Sequence, residues 1–84
     1  MAITAALFAQ AGEALSGQEW KRPLAELLSM NERTVFRIAK AARDGEDYPV
    51  SPSLGPVLAN HLRRAAAAYR DRAEEAERLA KLLG

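Results

Sequence analysis

Lys21-Arg22-Pro23-Leu24-Ala25-Glu26-Leu27-Leu28-Ser29-Met30-Asn31-Glu32-Arg33-Thr34-Val35-Phe36-Arg37-Ile38-Ala39-Lys40 is the stretch on which the reading of the fold turns. Leu24, Leu27 and Leu28 recur at helical spacing. Pro23 falls in a first helical turn, where its missing N–H leaves no intrahelical bond unmade. This helix is therefore expected to start near Trp20 or Lys21. Ser29-Met30-Asn31 breaks the pattern, and Asn31 is a good N-cap because its side-chain oxygen accepts from a backbone N–H one turn in. Val35, Ile38, Ala39 and Ala42 form the stripe of the next helix, which Gly45 is positioned to end in a left-handed conformation.

Two short helices joined by a three-residue turn have the geometry of a helix-turn-helix. The small Ala25 sits where the helices would cross closely. Leu24 and Leu28 face inward, Met30 fills the turn, Val35 and Ile38 lock the second helix onto the first, and Thr34 follows one turn after the Asn31 cap. The alternative for the same pattern is an αα-hairpin used only for packing.

Working outward, Ile3, Leu7, Ala11, Ala14 and Leu15 make a helical stripe with Phe8 beside it, started by Thr4 and closed by Gly17. Trp20 is expected in the core, closing this helix onto the motif. Residues 44–53 hold acids, Pro49, Pro52 and serines and read as an ordered loop. From Leu54 to Leu83 the chain is rich in Ala, Leu, Arg and Glu, all strong helix formers, with Gly55 and Pro56 tolerable only in the first turn. Leu62, Ala66, Tyr69, Ala73, Ala76, Ala80 and Leu83 alternate steps of four and three, a heptad-like seam. Leu54, Val57, Leu58 and Leu62 are expected to complete the core, and Ala66, Tyr69, Ala73, Ala76, Ala80 and Leu83 to meet a partner subunit. An intramolecular helix with a frayed end is the alternative. No β pattern and no repeat is found. The expected fold is all-α: a compact helix-turn-helix bundle of about four helices, one domain over residues 1–84, with the motif at 20–43 and a long C-terminal helix at 54–83.

Composition narrows the function. The chain has 84 residues, no cysteine and a formal net charge of +1, so neither disulfides nor thiolate metal sites brace so small a core. From Trp20 to Arg43, however, six bases (Lys21, Arg22, Arg33, Arg37, Lys40, Arg43) face two acids, Glu26 and Glu32. A positive segment inside a nearly neutral chain suits a phosphate-facing patch, and equally a solvated helix face. No run is long and apolar enough to span a bilayer. Met1-Ala2-Ile3-Thr4 carries no basic residue, unlike a leader sequence, and the expected location is cytoplasmic. His61, the lone histidine, stands apart from any carboxylate pair, and no P-loop, dinucleotide or His-Glu metal motif occurs. Glu74, Glu75 and Glu77 interleave with Arg72, Arg78 and Lys81 as solvated helical pairs. No enzymatic activity, cofactor, metal or small-molecule effector is expected.

The run Leu28-Ser29-Met30-Asn31-Glu32-Arg33-Thr34-Val35 resembles the turn of Cro/C1-type (XRE-like) regulators of phages and prophages. Their pattern is Leu, Gly, an apolar residue, Ser or Asn, two variable residues, Thr, then Val or Ile. The resemblance covers about Trp20 to Arg43. The loop Asp47-Tyr48-Pro49-Val50-Ser51-Pro52 is also similar to that of very small prophage-type regulators, including those encoded beside anti-CRISPR genes. One departure is Ser29, where the family has glycine; positive φ there costs a serine about 1 kcal/mol.

The resemblance implies a DNA-binding transcriptional repressor, homodimeric and acting on double-stranded DNA through the major groove at an inverted repeat. Carried over by position, Glu32, Arg33, Arg37 and Phe36 would meet base edges: the arginines guanine, Glu32 a cytosine amino group or a wrong register to repel, and Phe36 a thymine methyl if it is not core. Lys21, Arg22, Asn31, Lys40 and Arg43 would touch phosphates, Arg43 being as readily a solvated charge. The competing class is a protein-interaction module, an antitoxin or adaptor, working through its C-terminal helix.

Overall fold

The computed structural model describes residues 3–84, so Met1 and Ala2, part of the segment read as free of leader charge, lie outside the described residues. The chain is all-α: α1 spans Ala5–Ser16, α2 Lys21–Leu28, α3 Glu32–Asp44 and α4 Leu54–Leu83, with a short 3-10 turn at Gly17–Glu19 between α1 and α2. The ends follow local chemistry. Thr4 caps α1, its hydroxyl accepting from the Leu7 N–H at 3.0 Å, and Gly17 stops it at φ 74°, ψ −151°, a backbone region open only to glycine.

The ends of α2 and α3 are the same device built twice. Met30 N–H donates to the Ala25 carbonyl at 2.8 Å and Ser29 N–H to Glu26 at 3.2 Å; after α3, Glu46 N–H donates to Ala41 at 2.8 Å and Gly45 N–H to Ala42 at 3.4 Å. Both are Schellman ends with a left-handed residue at the corner. Gly45 takes that conformation freely at φ 70°, whereas Ser29 takes it at φ 52°, the one non-glycine residue with positive φ among the described residues.

Phe8, Leu24, Val35 and Ile38 are the largest fully buried side chains, surrounded by Ala5, Ala11, Trp20, Ala25, Ala41, Val50 and Leu58. Trp20 meets Phe8 edge-on, ring centroids 6.2 Å apart, as aromatic quadrupoles favour. Its ring lies over Gly12, where an added Cβ would overlap Trp20 Cε3 and Cδ2. Gly12 is therefore a contact surface, a role its place inside a helix pattern gave no sign of.

Val57 is expected in the core and Leu7, Ala14 and Leu27 on apolar stripes, but the structure leaves all four outside. Leu7 and Val57 are 47% and 42% exposed, Ala14 is exposed, and Leu27 is 45% exposed. The buried line of α1 is instead Ala5, Phe8, Ala11 and Gly12, because α1 packs mainly on α3 and turns its Leu7 side toward the open flank of α4. The loop is also more than a connector. Val50 is buried and forms an isolated antiparallel bridge with Ile3, the one β-type pairing found among the described residues.

Leu58 is the buried residue of α4, with Leu54 and Leu62 packed partly against the core. Every residue from Ala66 onward is exposed, so the helix projects and the molecule measures 50 × 23 × 21 Å. No helix among the described residues is long and apolar enough to cross a membrane.

Candidate nucleic-acid interface

α3 is aimed by the turn that precedes it. The left-handed Ser29 reverses the chain, Met30 packs against the core, and Asn31 opens α3 with Oδ1 accepting from the Arg33 N–H at 2.8 Å. Leu24 and Ala25 of α2 and Val35 and Ile38 of α3 are all buried. Burying Val35 and Ile38 rotates the opposite face outward, and Arg33, Phe36, Arg37 and Lys40 lie exposed along it at helical spacing. Arg33, Arg37 and Lys40 have no ion-pair partner among the described residues.

The other expected contacts are already engaged. Arg22 Nε donates to Glu32 Oε1 at 2.7 Å, joining the first turn of α2 to the first turn of α3. Both side chains are well exposed, so the pair adds at most about 1 kcal/mol to stability, and an approaching phosphate can compete for Arg22. Asn31 uses its oxygen as a cap, leaving only its amide N–H groups for an outside acceptor. Arg43 pairs loosely with Asp44 at 3.5 Å. Phe36 is not core: it is 42% exposed, with the Lys21 ammonium 5.4 Å from its ring centroid. That contact sets Lys21 and Phe36 side by side where α2 and α3 both begin.

Between α1 and α3 runs an open groove of about 830 Å³. Arg33, Arg37, Lys40 and Arg43 line one wall, Gln10 and Glu13 the other, and Trp20 is also part of the lining. The share of α1 in this surface was not foreseen. Its signal was present as the exposed Ala6, with Gln10 and Glu13 one and two turns on, but those residues carry no pattern until α1 lies against α3. Among the described residues no three His, Cys, Asp or Glu side chains gather as metal ligands would.

Of the seam residues expected to face a partner, Ala66, Ala73, Ala76, Ala80 and Leu83 are exposed. Tyr69 differs: its hydroxyl donates to the Ala14 carbonyl at 3.4 Å, tying α4 to the end of α1, while half of its surface stays open. Tyr69, expected at a partner interface, thus also makes a contact within its own chain. A long, near-limit hydrogen bond of this kind orients the ring more than it stabilises it.

Comparison of the chain with family models, with curated proteins and with solved structures returned no match.

Proposed function

We propose that the chain is a dimeric transcriptional repressor that reads an inverted-repeat operator through α3. The observation that carries this is the exposed line Arg33, Arg37 and Lys40, unpaired within the chain, on the helix that follows the αL turn. The three cations project from one face of a single helix, and arginine's planar fork suits guanine O6 and N7. In this reading Arg33 and Arg37 meet base edges, with Glu32 and Phe36 beside them. Lys21, Arg22, Asn31, Lys40 and Arg43 hold phosphates on either side and fix the register. Occupying a promoter is sufficient for repression, and no ligand chemistry is required of the protein.

The test is fluorescence anisotropy with duplex DNA from upstream of the gene against a scrambled duplex, at two salt concentrations. The double variant Arg33→Ala/Arg37→Ala should lose preference for the upstream sequence, each contact carrying about 1–3 kcal/mol of discrimination. Lys40→Ala should weaken binding to all sequences alike and lower the salt slope by about 1. Unchanged preference in the double variant would sink the reading.

A second reading has one observation in its favour: from Ala66 onward α4 offers an exposed helix to any protein partner. As an antitoxin or adaptor, the protein would lose partner binding on truncation after Ala66, with DNA binding secondary.

A further inference from the structure

From Ala66 to Leu83 every residue of α4 is exposed, Tyr69 hydrogen-bonds to Ala14 of α1, and Leu79, Leu82 and Leu83 stand 44%, 73% and 88% exposed. Most helical stability in a protein comes from packing an apolar face, and this half of α4 has no buried residue. The occupant of that face follows from the order of large and small residues along it and from the charges beside it.

In a parallel pair of these helices like meets like: Tyr69 stacks on its own copy while Ala66, Ala73, Ala76 and Ala80 each face alanine. The tyrosine layer needs a wide separation and the alanine layers on both sides need a narrow one, and a rigid helix pair has one separation, about 8–10 Å as its contact residues dictate. In an antiparallel pair the mismatch is smaller. Ala66 faces Leu83 of the partner subunit, Tyr69 faces Ala80 of the partner subunit, and Ala73 faces Ala76 of the partner subunit. No layer then holds two large residues, and the two central layers are alanine on alanine, so the separation needed varies less along the seam than in the parallel pair. The open half of the Tyr69 ring is what remains for the partner once its hydroxyl is turned to Ala14.

The charges agree with this register. It sets Arg70 beside Glu77 of the partner subunit, twice by symmetry, and lays the alkyl stem of Arg72 over Leu79 of the partner subunit. Sliding the helices by one heptad brings Arg70 against Arg70 and Arg72 against Arg72 at the two-fold axis, a repulsion that excludes the slipped pair. We infer that residues 66–83 of α4 form an antiparallel two-helix seam with a second copy of this chain, in the register that pairs Ala66 with Leu83. The inference rests on the dimer proposed above and specifies its geometry. The two Leu62 residues, where α4 leaves the packed domain, then lie about 25 residue rises or roughly 38 Å apart along the axis, comparable with a turn of duplex.

The chain's lack of cysteine makes the experiment direct. Ala66→Cys and Leu83→Cys each place one thiol on an exposed position of the full-length protein, so neither is expected to disturb the fold. In a glutathione redox buffer the mixture should give a crosslinked heterodimer, and either variant alone should give none. Self-crosslinking of each variant alone would mean a parallel pair and overturn the register. Wild-type protein that is monomeric by sedimentation equilibrium at high micromolar concentration, or dimeric without crosslinks in the mixture, would overturn the seam itself. Charge exchange gives an independent readout. Arg70→Glu or Glu77→Arg should raise the dimer dissociation constant about tenfold, and the two together should restore most of it, because opposite charges again face each other. Rescue by Arg72→Glu with Glu77→Arg instead would indicate the parallel pair. Duplex binding by the Cys variants, measured reduced, separates this outcome from the DNA-reading proposal: altered dimer geometry with intact base preference rejects only the seam.

Discussion

The packed part of the molecule, up to about Leu62, and the projecting part from Ala66 to Leu83 are held in shape by opposite means. The packed part contains residues that local preference would reject. Gly12 sits inside α1, and Ser29 holds a left-handed φ of 52°. These are kept because Phe8, Trp20, Leu24, Val35, Ile38 and Leu58 are buried around them. The projecting part has little of that burial, and its sequence is nearly all Ala, Leu, Arg, Glu and Lys, the best helix formers, with pairs such as Arg78 to Glu75 on its surface. Where packing is strong, local propensity can be overridden; where it is absent, propensity must suffice or a partner must supply the packing.

Substitutions in the two parts should differ in size and even in sign. The largest effect is expected from Leu58→Ala, which empties a buried site on the packed half of α4 and should cost about 2–5 kcal/mol in a urea titration. Leu82→Ala, on the same helix but 73% exposed, should leave that midpoint nearly unchanged, and equal losses would erase the distinction. Gly12→Ala is next and is the sharper comparison. By propensity it should stabilise α1, yet its methyl would overlap the Trp20 ring, so a loss of about 1–3 kcal/mol is expected from overpacking.

Ala68→Gly reverses the logic in the exposed half. There the roughly 1 kcal/mol penalty of glycine has nothing to offset it, and the change should appear as reduced far-ultraviolet helicity with little shift in the urea midpoint. Ser29→Gly should stabilise by up to about 1 kcal/mol, since glycine takes the left-handed corner without strain, for a Tm gain of about 4–8 °C in a domain of this size. No gain would mean that the Ser29 backbone carries little strain.

The helix ends were readable because a cap or a left-handed corner is a local matter: Thr4, Gly17, Asn31 and Gly45 each act within one turn of their own position. The inward faces of α2 and α3 were readable for a similar reason, since Leu24, Ala25, Val35 and Ile38 are close in sequence and meet across a short turn. Longer-range placements were not. A helix stripe shows which residues are apolar but not which neighbour will cover them, so Leu7, Ala14 and Leu27, on apolar stripes, and Val57, expected in the core, all stand outside. Val50 was missed because a single valine between prolines and serines has no periodicity, and its burial arises from the bridge to Ile3.

The candidate interface divides along the same line. Periodicity and charge were enough to single out Arg33, Arg37 and Lys40, because side chains three and four residues apart on one helix must share a face. The Arg22 to Glu32 pair, the seating of Lys21 over Phe36, the wall that α1 adds opposite α3 and the bond from Tyr69 to Ala14 join residues on different helices. The sequence by itself determined the helices, their ends and the charges each one carries, because these depend on neighbours within a turn or two. Only the tertiary structure decided which faces are covered and which cations stay unpaired, because burial is set by how helices distant in sequence close around a shared core.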